Sequence, residues 1–518
     1  MRKISMILLL TILILAACNS SSNQGGSELS TLNYGVTSAI EQLNPILTEE
    51  GHSELISLVF RGLMKHTEDN EVTGDIAKSF TISEDEKTYT FTLHEATWHD
   101  GQPITSEDVV YTLELIRSKD VASPYFSDFQ TVSDVRVIDP LQVVIEVSEP
   151  TPTLLDKLKV GLLPKHIFEQ TDLLTAKENK APIGNGPYKL ESWTTDDVLT
   201  FSAFKDFYGK KPEIEEIIVY TKLDENSKML RLKMGELDLA QITPQQQETV
   251  STYNGVTIKK IETADYRALQ FNQKHPQLAD NRVRTAINYF MDRAEMQSIV
   301  LKDTGEQAFG PLQRSFARLD QDIYSFDEIE AEQLLAEAGY EKCSEYYELN
   351  GQPLSFEVVA PITDPVRVSI ATIIVEQLQQ QGINASLQTK DWANIKIEEE
   401  DSFMIGWGNE GDPDTHTFRV FHSSEHAPKG YNYALVDNAE IDVALVKAKS
   451  GTKEERTVAY KQFQELLAEE MAFSFLVYVD GLYAISEQLL GVSDRSLGHN
   501  GFGILWNIEE WSCDESVM

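Results

Sequence analysis

Three consecutive segments decide the fold: "LSFEVVAP" at 354–361, "VRVSIATIIVEQLQQQG" at 366–382 and "INASLQTKDW" at 383–392. The first and third have the length and pattern of strands, whereas the middle one is long enough for a helix and stops at a glycine. A strand, a helix and a second strand in this order form a parallel pair with the helix packed on the sheet. The chain is therefore predicted to have an α/β fold.

The next strand, "DSFMIGWG" at 401–408, leads into a stretch dense in acids and histidines, "GWGNEGDPDTHTFRVFHSSEH" at 406–426. In open α/β sheets ligands bind beyond the carboxyl ends of the strands, and this stretch lies at such an end. Its composition suits a metal site, an acid–base catalytic site or an anchor for a charged guest. The residues that could serve are Glu410, Asp412, Asp414, His416, His422, Glu425 and His426.

The rest of the chain also alternates between strands and helices, without a repeat of fixed period. A strand is predicted at 87–98, where apolar residues alternate with polar ones. The segment 280–301 is predicted to be one helix that begins at an acidic or amide cap. We expect two α/β lobes, with the chain crossing between them near 266–273 and near 475–485.

Composition and charge exclude several classes of protein. The chain has 518 residues, of which 41% are hydrophobic and 9% aromatic, enough to fill a large core. Its formal net charge is −39. Proteins that bind nucleic acids or anionic membranes need a basic face, and no basic cluster is visible. We therefore expect no nucleic-acid partner.

The N-terminus has the features of an export signal. Arg2 and Lys3 precede the apolar run "ISMILLLTILILAA", which is shorter than the roughly 20 residues that a membrane-spanning helix needs. The run ends in "LAAC", which resembles the bacterial lipobox, where the peptide is cut before the cysteine and the thiol carries a diacylglycerol. The expectation is a signal peptide at 1–17, a lipidated Cys18 and a flexible tether at 18–30; the alternative is an ordinary signal peptide with an incidental cysteine.

The motifs of common enzymes are missing from the sequence. "HEATWH" at 94–99 resembles a zinc-protease motif, but its histidines are five residues apart and would point apart on a helix. No Gly-x-Ser-x-Gly elbow occurs, and "GNGP" at 184–187 is not followed by the Lys-Ser/Thr of a phosphate loop. Cys343 and Cys513 are expected as free thiols, and a bond between them stays open. The chain is predicted not to be an enzyme and to need no cofactor.

Several stretches in a fixed order resemble the bacterial extracytoplasmic solute-binding proteins of the peptide/nickel group, family 5, which serve ABC importers. The most specific are the segment that contains "WHDGQPITSEDVV" and the turn "GNGPYKL". The others are "LVFRGLMKH", "LKMGELDLA", "LQFNQ…DNRVRTAINYFMDRAEM", "AEQLLAEAGY" and "GWGNEGDPD". The resemblance runs through nearly the whole chain after the tether.

The resemblance implies a two-lobed clamp of the periplasmic-binding-protein type II, with an extra subdomain inserted in the first lobe. The guest lies between the lobes, and closure presents the complex to the permease. The implied division gives the inserted subdomain 52–180, the second lobe 272–476, and the first lobe three pieces, 31–51, 181–271 and 477–512.

The resemblance also assigns residues to the guest. In peptide-binding members an acid three positions after the Trp of the "GW" strand pairs with the peptide's α-ammonium; here Glu410 follows Trp407 by three, where the family has Asp. An Arg at the start of the helix after the "VVAP"-type strand holds the ligand carboxylate in dipeptide binders, and Arg367 stands there. Trp407 lines the cleft or belongs to the core. Gly51 and His52 are further predicted ligand contacts.

Nickel-binding members of the same family offer an alternative. They hold a small metal chelate with arginines and aromatics, together with a histidine from the region beyond the "GW" strand. His416, His422 and His426 lie in that region, and imidazole is a suitable nickel ligand. Their spacing defines no preformed cage, and the acid at position 410 favours a peptide.

The sequence thus predicts a monomeric receptor, attached to the extracytoplasmic face of the membrane only by its lipid. Its expected partners are a short peptide, or else a nickel chelate, and the permease subunits of an ABC importer. A hydrolase and a surface adhesin are remote alternatives.

Overall fold

The computed structural model describes residues 31–48, 54–195, 197–319, 325–408 and 411–514. Within these ranges the chain forms two large mixed sheets and several smaller ones, surrounded by helices. The α-helices are Ile56–Val59, Ser106–Ile116, Leu154–Lys157, Lys165–Phe168, Glu225–Met234, Gln247–Val250, Asn281–Tyr289, Arg293–Ile299, Glu328–Glu337, Pro365–Gln381, Asp414–Phe421, Ala439–Ala448 and Lys453–Glu470.

A seven-stranded sheet forms the first lobe. Its central strand is parallel to both of its neighbours, and the remaining pairs are antiparallel. In spatial order the strands are Val256–Ile261, Gly481–Ser486, Leu239–Gln241, Thr31–Gly35, Glu216–Tyr220, Val198–Ala203 and Tyr188–Trp193. The sheet thus combines the N-terminal strand with segments from the middle and the end of the chain.

Along the chain, the first two strands of the seven-stranded sheet are Thr31–Gly35 and Tyr188–Trp193. The segment between them contains a four-stranded antiparallel sheet. Its order is Ala77–Ile82, Thr88–Leu93, Gln142–Val147 and Val132–Asp139. The strand predicted at 87–98 is confirmed over Thr88–Leu93, and alternate residues of it are buried. The helix Ser106–Ile116 packs on this sheet and begins at Thr105, which forms a capping box with Asp108.

A six-stranded sheet forms the second lobe and contains the predicted strand–helix–strand unit. Ser355–Pro361 and Asn384–Lys390 are parallel, and the helix Pro365–Gln381 between them ends at Gly382, whose φ is 96°. In spatial order the strands are Glu306–Gln307, Phe473–Tyr478, Tyr266–Phe271, Ser402–Trp407, Ser355–Pro361 and Asn384–Lys390. The predicted α/β class is confirmed.

The remaining strands of the described residues form three small sheets. One contains Glu341–Cys343, Tyr346–Leu349 and Gln352–Pro353; the second pairs Met64–His66 with Val72–Gly74; the third pairs Leu489–Leu490 with Ser512–Cys513. Cys343 is exposed and Cys513 half-buried, and they are not bonded to each other. In the part of the chain that the structure describes, no helix has the length and apolarity to cross a membrane.

The helix predicted over 280–301 is in fact two helices, Asn281–Tyr289 and Arg293–Ile299. Asp292 starts the second helix, because its side chain accepts from the backbone N–H groups of Ala294 and Glu295. Gln377, from the helix of the strand–helix–strand unit, accepts from the N–H of Asp292 at 3.0 Å and donates to its carbonyl at 3.3 Å. The prediction of one helix was wrong because a distant side chain satisfies the backbone at the break.

The chain crosses between the two large sheets twice, at 262–265 and at 479–480. The strand Tyr266–Phe271 is buried along its whole length and pairs in the six-stranded sheet. The expected end of the first lobe at 271 therefore lies one strand after the change of sheet. Hydrophobicity alone predicts the strand and cannot tell which sheet it joins.

Candidate ligand-binding cleft

The two crossing segments lie side by side and are hydrogen-bonded to each other. Thr263 Oγ1 donates to the carbonyl of Val479 at 2.6 Å, and the N–H of Val479 donates to the carbonyl of Asp265 at 2.9 Å. Arg314 Nη1 donates to the carbonyl of Thr263 and to Asp480 Oδ1, at 2.7 and 2.8 Å. Two short crossings that share so few bonds form a hinge about which the lobes can move.

Trp407 stands at the carboxyl end of the strand Ser402–Trp407, beside this hinge. Its ring contacts those of His416, Tyr431 and His499 at centroid distances of 5.7, 4.9 and 5.9 Å. Its Nε1 is buried and has no hydrogen-bond partner among the residues that the structure describes. The next residue, Gly408, passes so close to Asp265 that a Cβ would lie 2.6 Å from the Asp265 Cα. Trp407 therefore contacts both lobes, and its indole N–H is available to a guest.

Asp265 joins the crossing segment to a loop of the first lobe. It forms an ion pair with Arg267 at 2.7 Å and accepts from His499 Nδ1 and from the N–H of Asn500, both at 2.8 Å. Burial favours the neutral acid, but Arg267 and His499 outweigh it and hold the pKa of Asp265 well below its ordinary value. The carboxylate is fully buried and charged, so it fixes the orientation of the His499 ring.

His499 comes from the sequence "GHNG" at 498–501, more than 200 residues from Asp265. Burial lowers the pKa of its imidazole, and Asp265 offsets this only in part. Since Nδ1 bonds to the carboxylate, Nε2 carries the lone pair of the neutral ring. Asn500, the residue after His499 in this loop, accepts from Arg267 Nη2 at 3.0 Å. The loop therefore bridges the two lobes next to Trp407.

Arg367 lies at the start of the helix Pro365–Gln381, as predicted, and only 3% of it is exposed. Its Nε is 3.0 Å from Asp364 Oδ2, and its Nη1 donates to the carbonyl of Met404 at 3.4 Å, on the strand that ends at Trp407. Burial, with the nearby charge of Arg267, lowers the pKa of Arg367 to about 10. The guanidinium also lies over the Trp392 ring, 5.7 Å from its centroid, and these partners do not fully offset the burial of the charge.

The three histidines of the nickel alternative do not come together. His416 contacts Trp407; His422 stacks on Phe418 at 4.2 Å and accepts from the N–H of Ser424; His426 bonds to the carbonyl of Val436 at 2.8 Å. Within the described residues no group of three His, Cys, Asp or Glu side chains is arranged to hold a metal ion. The predicted site residues that lie outside the described residues are Cys18, Gly51, His52 and Glu410.

The inserted subdomain reaches the second lobe just after position 410. Lys157 Nζ donates to Asp414 Oδ2 at 2.7 Å, and the two side chains are 5% and 3% exposed. Gly411 packs against Asp156 and His66, since a Cβ on it would lie 2.6 Å from Asp156 Oδ1. The segment 411–414 is therefore clamped between the inserted subdomain and the second lobe.

Sequence reasoning named Trp407 and Arg367 as site residues, which stays a prediction, and did not name Asp265, Arg267 or His499, which lie beside Trp407 in the structure. The glycines that flank His499 in "GHNG" were the only local signal of a tight loop. Nothing in the sequence shows that this loop contacts a strand that begins more than 230 residues earlier.

Two α/β lobes, a hinge of two crossings and a cleft lined by arginines and aromatics define a solute-binding protein of the type II periplasmic class. The chain belongs to the bacterial extracellular solute-binding proteins, family 5, because the model described as "family 5 Middle" matches residues 71–428.

Relatives with different names share the whole fold. The oligopeptide-binding protein AppA of Bacillus subtilis (strain 168) is 25% identical, over 98% of this chain and 99% of its own length. The crystal structure of NikZ from Campylobacter jejuni in complex with Ni(L-His) is 35% identical, with a TM-score of 0.89, and covers 93% of this chain and 99% of that one. The structure of Bacillus subtilis AppA with a nonapeptide is 24% identical, with a TM-score of 0.83 over 94% of this chain and 99% of that one.

Proposed function

We propose that the protein is the substrate-binding lipoprotein of an ABC importer and captures short peptides between its lobes. It delivers them to the membrane permease as a monomer and catalyses no reaction. The diacylglycerol on Cys18 holds it at the extracytoplasmic face of the membrane. The inserted subdomain at 52–180 and the division into lobes stated above belong to this proposal.

The observation that carries the proposal is the buried guanidinium of Arg367, which lies at the same carboxyl edge of the six-stranded sheet as Trp407. A buried charge is expensive unless it is paired, and burial with the nearby charge of Arg267 lowers the pKa of Arg367 despite the carboxylates of Asp364 and Asp265. A guest carboxylate supplies the missing anion, and a planar guanidinium can hold it with two hydrogen bonds. The free indole N–H of Trp407 adds a donor on the same side of the cleft. The printed name of the AppA relative, an oligopeptide-binding protein, supports a peptide as the bearer of that carboxylate.

Mass spectrometry of the guest released from the purified protein tests the proposal directly, together with a metal analysis. We expect short peptides and no stoichiometric metal. The matched pair of variants is Arg367→Met and Arg282→Met, because Arg282 also stands at a helix start but pairs with Asp280 at the surface. Peptide affinity should fall by about 30-fold or more in the first variant only. Equal affinities in both variants would remove Arg367 from the site.

A nickel chelate is the second candidate, favoured by His499. Its Nδ1 is fixed by Asp265, so that Nε2 is presented as a metal ligand, with Arg267 and Arg367 nearby for the carboxylates of a chelator. The similarity to NikZ, whose structure holds Ni(L-His), supports this candidate. Titration with nickel and L-histidine distinguishes the two. Binding that His499→Ala abolishes, with no peptide in the released guest, would replace the peptide proposal.

A further inference from the structure

Glu54 is a buried acid of the first lobe whose carboxyl group has one hydrogen-bond partner among the described residues. It precedes the helix Ile56–Val59 and is 6% exposed. Its Oε2 accepts from the Tyr34 hydroxyl at 3.0 Å, whereas its Oε1 is buried without a partner. No Lys, Arg or His of the described part of the chain contributes to its charge environment. A carboxylate oxygen in this state costs free energy that a donor from a guest would recover.

The surroundings of Glu54 place it on the cleft side of the first lobe. Tyr34 lies near the carboxyl end of the central strand Thr31–Gly35, the end at which open α/β sheets bind ligands. Tyr483, which is close enough for Glu54 to raise its pKa further, donates its hydroxyl to the carbonyl of Gly501. Gly501 belongs to the loop that carries His499 to Trp407. Glu54 therefore lies beneath the loop that bridges the lobes.

Among the described residues, Arg367 Nε, Trp407 Nε1 and Glu54 Oε1 are three buried polar atoms without a hydrogen-bond partner, and they come from opposite lobes. The second lobe offers donors and positive charge, from Arg367 and from Trp407 Nε1. The first lobe offers an acceptor, Glu54 Oε1. Burial raises the pKa of Glu54 to about 8, so that in the absence of a cation the acid holds a proton at neutral pH. An ammonium group beside it would favour the ionised form.

We propose that Glu54 binds the ammonium group of the guest, which then lies with its ammonium toward the first lobe and its carboxylate toward the second. This inference rests on the proposed peptide function and adds the orientation of the guest. It differs from the expectation for Glu410, which places the ammonium on the second lobe.

The test compares a mixture of tripeptides with free amino termini and the same mixture after N-acetylation, by native mass spectrometry. The variants are Glu54→Gln, Glu410→Gln and, as control, Glu216→Gln, whose carboxylate lies at the opposite end of the central strands. We expect Glu54→Gln to lower the affinity for peptides with a free amino terminus by about 30-fold or more and to leave the affinity for acetylated peptides unchanged. The control should match the wild type. If only Glu410→Gln removes the preference for a free amine, the inference is overturned.

A second measurement needs no variant. Calorimetry of the wild type at pH 7, in two buffers of different ionisation enthalpy, counts the protons released on binding. Free-amine peptides should release a proton from Glu54, whose neighbours Tyr34 and Tyr483 stay neutral, and acetylated peptides should not. Binding of free peptides without proton release contradicts the inference alone. If neither the free-amine nor the acetylated peptides bind but a nickel–histidine complex does, the proposed peptide function is wrong, and the inference about Glu54 falls with it.

Discussion

Glu54 and Arg367 show what a binding site requires of single residues. Each is buried with few partners among the described residues: the Glu54 carboxyl accepts from Tyr34, and Arg367 contacts Asp364, the Met404 carbonyl and the Trp392 ring. Burying polar groups in this way destabilises the folded protein. A guest that supplies the missing partners recovers that free energy, so the same residues that weaken the empty clamp strengthen the complex.

Replacing Glu54 should therefore change how the stability of the ligand-free protein depends on pH. Because the folded-state pKa is about 8 and the ordinary value is 4.5, the folded protein binds more protons than the unfolded chain between these values. Stability is fully present below pH 4.5 and falls as pH rises toward 8. By pH 7 the loss is on the order of 3 kcal/mol. Glu54→Gln should lack this loss of stability, which urea unfolding at about pH 4.5 and at pH 7 measures.

The control for this prediction is Glu216→Gln, which should follow the pH dependence of the wild type. Parallel stability curves for the wild type and Glu54→Gln would show that Glu54 titrates normally and is not held in a buried, unpaired state. A uniform loss of stability at every pH would instead point to packing.

Among the cleft residues, those next to a recognisable strand end could be predicted and the others could not. Trp407 ends a strand whose pattern is clear in the sequence, and Arg367 follows another. Asp265 and His499 owe their positions to a contact across 234 residues of sequence. Nothing local marks Asp265, since a single acid between two strands is usually a loop residue exposed to solvent.

At the scale of elements, the strand–helix–strand unit was predictable because its periodicity and its glycine stop agree. The break at Asp292 was not, because apolar residues continue through it. Gln377, 85 residues away, bonds to both the N–H and the carbonyl of Asp292 and is 8% exposed. A tertiary contact thus decides whether the backbone continues as one helix.

Gln377→Leu should therefore destabilise the second lobe. The substitution keeps the size of the side chain but leaves the N–H of Asp292 without its partner and removes one of the two donors to its carbonyl, the other being the N–H of Met296. The expected cost is about 1–3 kcal/mol. Gln381→Leu, on the same helix but with an exposed side chain bonded to Glu328, should cost less than about 0.5 kcal/mol. Urea unfolding of both variants measures the difference. Equal stabilities would mean that Asp292 alone maintains the break.

At the scale of the whole molecule, the described residues join the lobes at the hinge, where the crossings bond to each other and to Arg314, and through the loop that carries His499. The inserted subdomain also contacts the second lobe, through the packing of Gly411 and the ion pair of Lys157 with Asp414. Asp128, in the same subdomain as Lys157, lies 3.9 Å from its Nζ. Opening about the hinge must break the pair with Asp414 and leaves that with Asp128 intact.

Lys157→Met should shift the clamp toward its open form. Although burial opposes the charge of Asp414, Lys157 together with Lys449 and Arg456 outweighs burial and holds the pKa of Asp414 below its ordinary value. Without the ammonium, closure would bury Asp414 and Asp128 together with no counter-charge from this lysine, at a cost of about 3–5 kcal/mol. Opening hydrates Asp414 and relieves the cost. The guest affinity should fall, and the radius of gyration from small-angle X-ray scattering should rise.

Lys165→Met is the matched control, because Lys165 pairs with Glu107 at the same 2.7 Å but within the inserted subdomain and at its surface. A surface pair contributes about 1 kcal/mol or less, and this one is not broken by opening. The control should keep both the affinity and the radius of gyration of the wild type. If Lys157→Met also keeps the affinity and the radius of gyration of the wild type, the pair of Lys157 and Asp414 does not favour closure. The inserted subdomain then only lines the cleft. If affinity falls while the radius is unchanged, Lys157 acts locally, by positioning the segment 411–414 beside the guest.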